Sequence, residues 1–370
     1  MTNSLTEEKK KSSRLLSLDA FRGFTMFLLI GEFAGLFHYL IDPTFNGTII
    51  GFIGEQFHHH NWHGLHFWDL VQPYFMFIVG VAIPFSERNR LRKGSTDKAV
   101  FKHALIRSAL LLLLGWALYC IGPGRIVFRF QNVLAQLAVT YLVAFLLRNK
   151  SIKLQFAASI FFIVVTELLY RTFSVDGFNQ PFTPDHNFGA YIDMLISGEL
   201  SGGHWVSFNA IPTTAHTIWG VIIGKILLSG KSKNDVLKIM IISGVVGLVI
   251  GYALDPITPI IKRISTSSFV FVSGGWALLT FAFFYWTIDI LNYKKWIQFA
   301  VVVGLNPLFI YLFAHVGGGK FIAHILKPFT FGLFDWMGEL TANIILGILT
   351  WYFLWYITYW LNKRKIFIRI

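Results

Sequence analysis

Apolar residues recur along this chain in blocks of about twenty, the length a helix needs to cross the hydrocarbon of a bilayer. The blocks cover 21–41, 67–86, 104–122, 130–148, 154–171, 208–228, 237–254, 270–291, 297–316 and 341–361, with polar or charged stretches between them. ALLLLLGWALYCI and VLAQLAVTYLVAFLL, in the third and fourth blocks, contain almost nothing polar. The alternation in roughly ten-residue segments that marks a transmembrane β-barrel is missing. The pattern therefore predicts an all-α, polytopic membrane bundle of about ten spanning helices. One membrane domain is expected over 19–361, between an N-terminal tail (1–18) and a basic C-terminal tail (362–370), both cytoplasmic.

Composition supports that solvent. Hydrophobic residues make up 55% of the chain and charged residues 14%, against roughly 25% charged in soluble domains. A net charge of +13 would fit a nucleic-acid binder if it were clustered on one surface. Instead it alternates. EEKKKSSR, RNRLRKGSTDKAVFK, RNKSIK, KSKNDVLK, NYKK and NKRKIFIR fall on one side and hold about 22 Lys and Arg, while the other side holds about seven. The basic side is the cytoplasmic one by the positive-inside rule, which puts both termini inside. The lipid bilayer, not nucleic acid, is the partner this charge implies. The charged N-terminal stretch runs straight into a full-length span, which predicts no cleaved signal peptide. Cys120 is the single cysteine, so no intrachain disulfide can form. The longest polar connections, 42–66, 172–207 and 317–340, all fall on the outer side, where recognition is expected.

Polar groups inside the bilayer are costly enough that each asks for a reason. Asp19 and Arg22 share a helical face at the inner boundary, either as an interfacial ion pair or as part of a cytoplasm-facing anion site. Glu32 lies about 15 Å further along the same helix. It either bonds a neighbouring helix or lines an active centre. His216 follows Pro212 and a Thr-Thr pair in one span, and Asn306-Pro307 precedes His315 in another. The Asn-Pro step is either a simple kink or the wall of a cavity. Lys262 and Arg263 open the KRISTSSFVFVSGG stretch, as an anion site or as headgroup anchors.

The densest cluster is FHHHNWHGLHFWDL (57–70). Histidine titrates near neutrality and serves as base, shuttle or metal ligand. Zinc on His59 and His63 lacks a clear third ligand. The remaining readings are solvated interfacial rings and a general base.

The assembled motifs resemble the transmembrane acyltransferase family of heparan-α-glucosaminide N-acetyltransferase and its bacterial relatives. The resemblance runs through nearly the whole chain: SLDAFRGFTM, His59-x-x-Trp62-x-Gly64, DLVQPYFMFIVG, RSALLLLLGWAL, HNFGAYID, AIPTTAHTIWG, TSSFVFVSGGWALL and GLNPLFIYLFAH. It lacks the large N-terminal luminal portion of the animal enzyme, so a bare catalytic membrane domain is expected. The resemblance implies an acetyltransferase that takes acetyl-CoA from the cytosol and acetylates an amino sugar or related glycan on the outer side of a bacterial cytoplasmic membrane. It also implies a possible homodimer, and no metal or redox cofactor.

The resemblance places the key histidine at His59. The family's partner asparagine falls near Glu32 or Phe33, where this chain offers a carboxylate for an amide. Gln136 stands where an arginine is expected near the donor. Asn306 is the candidate oxyanion donor, with Glu32 or His315 orienting the imidazole. Arg22, Asp19, Lys102 and Arg107, with Gln136, are the candidates for holding the donor. Trp62, His63, Asp69, Asn187, Asp193, His216 and Lys262 are those for the acceptor. A solute transporter with a midplane site is the alternative that the broken helices and Glu32 leave open.

Overall fold

The structure is a computed structural model and describes residues 15–368. Most of the predicted N-terminal tail and the last two residues of the predicted C-terminal tail lie outside the described residues. Every regular element among the described residues is helical, as the block pattern requires. The principal helices are α1 (Leu16–Phe33), α2 (Ile49–Gln56), α3 (Val71–Arg92), α4 (Asp97–Ile121), α5 (Val133–Leu147), α6 (Ile152–Thr172) and α7 (Phe188–Ser197). The second half adds α8 (Ala210–Leu228), α9 (Lys233–Leu254), α10 (Ser267–Phe284), α11 (Gln298–Val303), α12 (Pro307–His315), α13 (Gly318–Phe334) and α14 (Glu339–Lys363).

Among the described residues, seven helices are long and apolar enough to cross a membrane, and an eighth span results if α11 and α12, bent by 60° at their break, count as one. The sequence blocks predicted about ten. The difference lies in α1, which carries Asp19, Arg22 and Glu32 within 18 residues, and in α5, which is only 15 residues long. The block at 297–316 is interrupted at Asn306, whose non-helical backbone precedes Pro307 at the first turn of α12. Proline there is compatible with starting a helix but not with continuing one.

Helices α3, α8 and α10 are mostly buried and make the centre, whereas α4, α6, α9 and α14 are mostly exposed and form an outer layer. The outer helices present Leu113, Phe161, Val249 and Tyr352 away from the protein, the side chains that meet lipid in a membrane. Lipid tails are as apolar as these residues, so helix association rests on close packing rather than on the hydrophobic effect. Glycine supplies that closeness. A Cβ on Gly80 of α3 would lie 2.1 Å from the Thr217 carbonyl oxygen of α8, and one on Gly220 would lie 2.2 Å from the Phe77 carbonyl oxygen. Around this crossing, Phe21, Phe77 and Phe281 are fully buried and stack or meet edge-on. The centre contributes Val71 and Gln72 of α3 to the site described next.

Candidate active site

The histidine stretch leaves α2 and closes on itself over residues 57–66 before the short 3₁₀ turn Phe67–Leu70. Asp69 organises the closure. Its Oδ2 accepts hydrogen bonds from the backbone N–H of His66 (2.8 Å) and of His60 (3.2 Å), and its Oδ1 lies 3.0 Å from His59 Nδ1. One buried carboxylate thus satisfies two loop amides and holds one imidazole. Gly64, at φ +143°, brings the chain back so closely to the His60 ring that a Cβ would collide with it. The Gly64 N–H donates to the Ile260 carbonyl oxygen (2.9 Å). That bond joins the histidine loop to a second loop, 255–266, which is held by its own polar contacts. Ser265 donates both its N–H and its hydroxyl to the Lys262 carbonyl, and Thr266 donates its hydroxyl to the Pro259 carbonyl.

The junction delivers Lys262 to His59. The lysine side chain is 6% exposed; its Nζ lies 3.0 Å from His59 Nδ1 and 3.7 Å from Asp69 Oδ1. Trp205, from the segment before α8, covers both groups, with its ring 5.2 Å from Lys262 Nζ and 5.2 Å from the His59 ring. Burial lowers the pKa of Lys262 to about 8, against the opposing pull of the Asp69 and Glu32 carboxylates. Burial also lowers that of His59 to about 4, and the neighbouring Lys262 adds to the effect while Asp69 opposes it. At neutral pH the ring is therefore an uncharged imidazole, one-third exposed.

The exposed part of His59 faces a cavity of about 500 Å³ that Glu32, Gln72, Tyr119, Trp205 and Tyr311 also line. A second cavity of about 320 Å³ lies toward the opposite end of the bundle. Its walls are largely apolar (Met26, Ile78, Leu111, Leu137), with Arg22 and Arg107 among them. Val133 and Tyr311 border both spaces. A third space, of about 430 Å³, opens beyond the second and shares Ala82, Ser86 and Arg107 with it. Arg90, Lys93 and His103 make it basic. The three spaces form a series: basic vestibule, apolar slot, polar chamber.

The structure brings together His59, Asp69, Lys262, Glu32 and His315 at the chamber, where His315 packs against the rings of Phe33 and Tyr311. Gln136 lies one layer behind, hydrogen-bonded to the chamber residue Gln72. Asp193 sits behind Gln131, accepting from its amide and from the Ser207 N–H. Arg22 and Arg107 line the slot, and Asp19 sits 3.5 Å from Arg22.

Six candidates are placed elsewhere. Asn306 donates to the Ile366 carbonyl and accepts from the Ile368 N–H, so its amide fastens the C-terminal segment and is not among the chamber's lining. Lys102 points outward from α4 while the next residue, His103, faces the vestibule. His63 pairs with Asp255 at 2.8 Å on the exposed rim, and the Trp62 indole donates to the Phe182 carbonyl. His216 is buried against Ser273 and the Val270 carbonyl, while Asn187 caps α7 through Ala190 N–H. The sequence reading passed over Trp205, Tyr119 and Tyr311. Aromatic residues near helix ends are common in membrane proteins, and no local pattern marks these three.

No family model matches the chain. It is similar to heparan-alpha-glucosaminide N-acetyltransferase of Mus musculus, with 29% identity over 145 residues covering 36% of this chain and 19% of that protein. It is also similar to the Homo sapiens protein of the same name, with 31% identity over 140 residues covering 35% of this chain and 18% of that protein. The match therefore spans less than a fifth of either relative's own length. The family resemblance read from the motifs thus stands on two relatives as well: over roughly a third of its length this chain is similar to the heparan-alpha-glucosaminide N-acetyltransferases.

Proposed function

We propose that this chain is a membrane acetyltransferase that moves an acetyl group from acetyl-CoA at the inner face to the amine of a glucosamine-like sugar at the outer face. The observation that carries the reading is the series of three cavities with shared walls, which ends at His59. Its order suits the donor. Phosphates meet Arg90, Lys93 and Arg107 in the vestibule; the uncharged pantetheine arm lies in the slot; the thioester reaches the chamber. The names of the two relatives support an amine acceptor.

The chemistry is acyl transfer. The acceptor ammonium gives up one proton, its nitrogen attacks the thioester carbonyl carbon and gives up a second, the C–S bond breaks, and the departing CoA thiolate takes one of the two protons while the other leaves to solvent. This needs a base, alignment and support for the developing oxyanion, and no electron changes hands. His59 is the base, held in orientation by Asp69, and Trp205 closes the site over it. Tyr119 and Gln72, which line the chamber, take the oxyanion role in place of Asn306.

The test is to supply purified protein in lipid nanodiscs with labelled acetyl-CoA and a panel of amino sugars, and to identify the product by mass spectrometry. Acetylated amino sugar supports the reading. Labelled amino sugar crossing vesicles without acetyl-CoA, and with no product, overturns it in favour of transport. Arg107→Glu tests the vestibule. It removes a donor contact made equally before and in the transition state, so KM for acetyl-CoA rises about 10- to 100-fold while kcat holds.

A further inference from the structure

Two groups compete for one atom of His59. Nδ1 lies 3.0 Å from Asp69 Oδ1 and 3.0 Å from Lys262 Nζ. A neutral imidazole has one N–H and one lone pair, so Nδ1 either donates to the carboxylate or accepts from the lysine. Asp69 cannot move aside, because its other oxygen is fixed by two backbone N–H groups. The choice therefore falls to Lys262. As an ammonium it donates to Nδ1, which puts the ring proton on Nε2. As a neutral amine it leaves Nδ1–H to Asp69, and Nε2 carries the lone pair.

We infer that His59 and Lys262 act as one proton-accepting unit, in which Nε2 takes a proton from the chamber while Nδ1 passes one to the lysine amine. This deepens the acetyltransferase reading and rests on it for the reaction. The acceptor ammonium must lose two protons to become the amide N–H. The first goes to Nε2 while Nδ1 passes its own to the neutral lysine amine; the second leaves the nitrogen as it attacks and goes to the departing CoA thiolate. The relay resets when Lys262 returns its proton to Nδ1 and Nε2 releases one to solvent, so ammonium and acetyl-CoA give amide, CoA thiol and one free proton. The ring alone is a weak base, with its value near 4, whereas the neutral amine of Lys262, with its value near 8, binds a proton far more strongly; the neutral-amine form is the one that accepts. Coupling lends the lysine's basicity to the ring's position, close to the operating pH where a general base is most effective. Asp69 from the start of α3, Glu32 from α1, and Arg263 from the same loop are the charges that act on Lys262; the two carboxylates favour its ammonium and Arg263 opposes it.

The experiment reads the ring directly. Protein with ¹⁵N-labelled histidine is titrated by NMR without donor or acceptor, and His59→Gln assigns the resonance. Native protein should carry its proton on Nε2 below about pH 8 and on Nδ1 above it. Lys262→Met should hold the Nδ1–H form across neutrality. Lys262→Arg, which keeps the charge but cannot release its proton, should hold the Nε2–H form at both ends. A native ring that keeps one tautomer from about pH 6 to about pH 10 overturns the relay, even if acetyl transfer occurs. A ring that switches in protein that transfers no acetyl group leaves the relay standing and removes the reaction. If Lys262→Met does not fold, the native and Lys262→Arg titrations decide between these outcomes. Where transfer occurs, both lysine variants should lose about 10²–10⁴ in rate.

Discussion

On the proposed function, His59→Gln should lower the rate of acetyl transfer by about 10²–10⁴, the contribution of a positioned base, while the protein remains folded. Glutamine is the informative replacement because it keeps a polar side chain of similar reach beside Asp69. Removing the ring altogether would leave a buried carboxylate and a buried ammonium to rearrange, a separate cost. The neighbouring histidines supply the control. His63 is on the rim, paired with Asp255, and His63→Ala should leave the rate within about threefold of native, a surface change of a few tenths of a kcal/mol. Initial rates with saturating acetyl-CoA give the comparison. A His59→Gln protein within threefold of native, or a His63→Ala protein that is the more damaged of the two, would overturn the assignment.

Gly80→Leu separates the two most intimately packed helices of the bundle. The new Cβ would stand 2.1 Å from a backbone oxygen of α8, and backbone cannot swing away as a flexible side chain can. Overpacking of this kind costs about 1–3 kcal/mol and at times more, and a contact through backbone belongs at the upper end. Thermal unfolding in one detergent should show a lower midpoint for Gly80→Leu and less folded protein after extraction. Gly122→Leu is the control, since that position opens onto free space. Equal midpoints for the two variants would contradict close α3–α8 packing.

The fold was legible because a bilayer allows few solutions. An uninterrupted apolar block has to be a helix when no water is present to satisfy its backbone, so the block pattern reads almost directly as α3, α4, α6, α8, α9, α10 and α14. Where polarity enters a block, as at Asp19, Arg22 and Glu32 in α1, the pattern weakens and the number of spans becomes harder to read. The candidate site was legible in part. The histidine motif itself drew attention to His59 and Asp69, and a carboxylate inside an apolar block drew it to Glu32. Asn306, expected at the site, is not among the chamber's lining, because its partners at 366 and 368, about sixty residues away, leave no local trace. A longer separation, 203 residues, hid the weight of Lys262, whose loop is tied to the histidine loop by the Gly64–Ile260 bond and the His63–Asp255 pair. Trp205 and Tyr311 had no signal at all: their role comes from which walls the topology makes them share.

The apolar slot between the two wet spaces has a bearing on energy conservation. A cell membrane stores work as ion gradients, and a protein drilled from one face to the other risks short-circuiting them. Apolar walls such as those of Met26, Ile78 and Leu137 shed water, and an ion that must give up its hydration does not enter between them. Under the proposed function this stretch would insulate when vacant and be plugged by the donor when filled, so that one compartment's chemistry could reach the other while the voltage is kept.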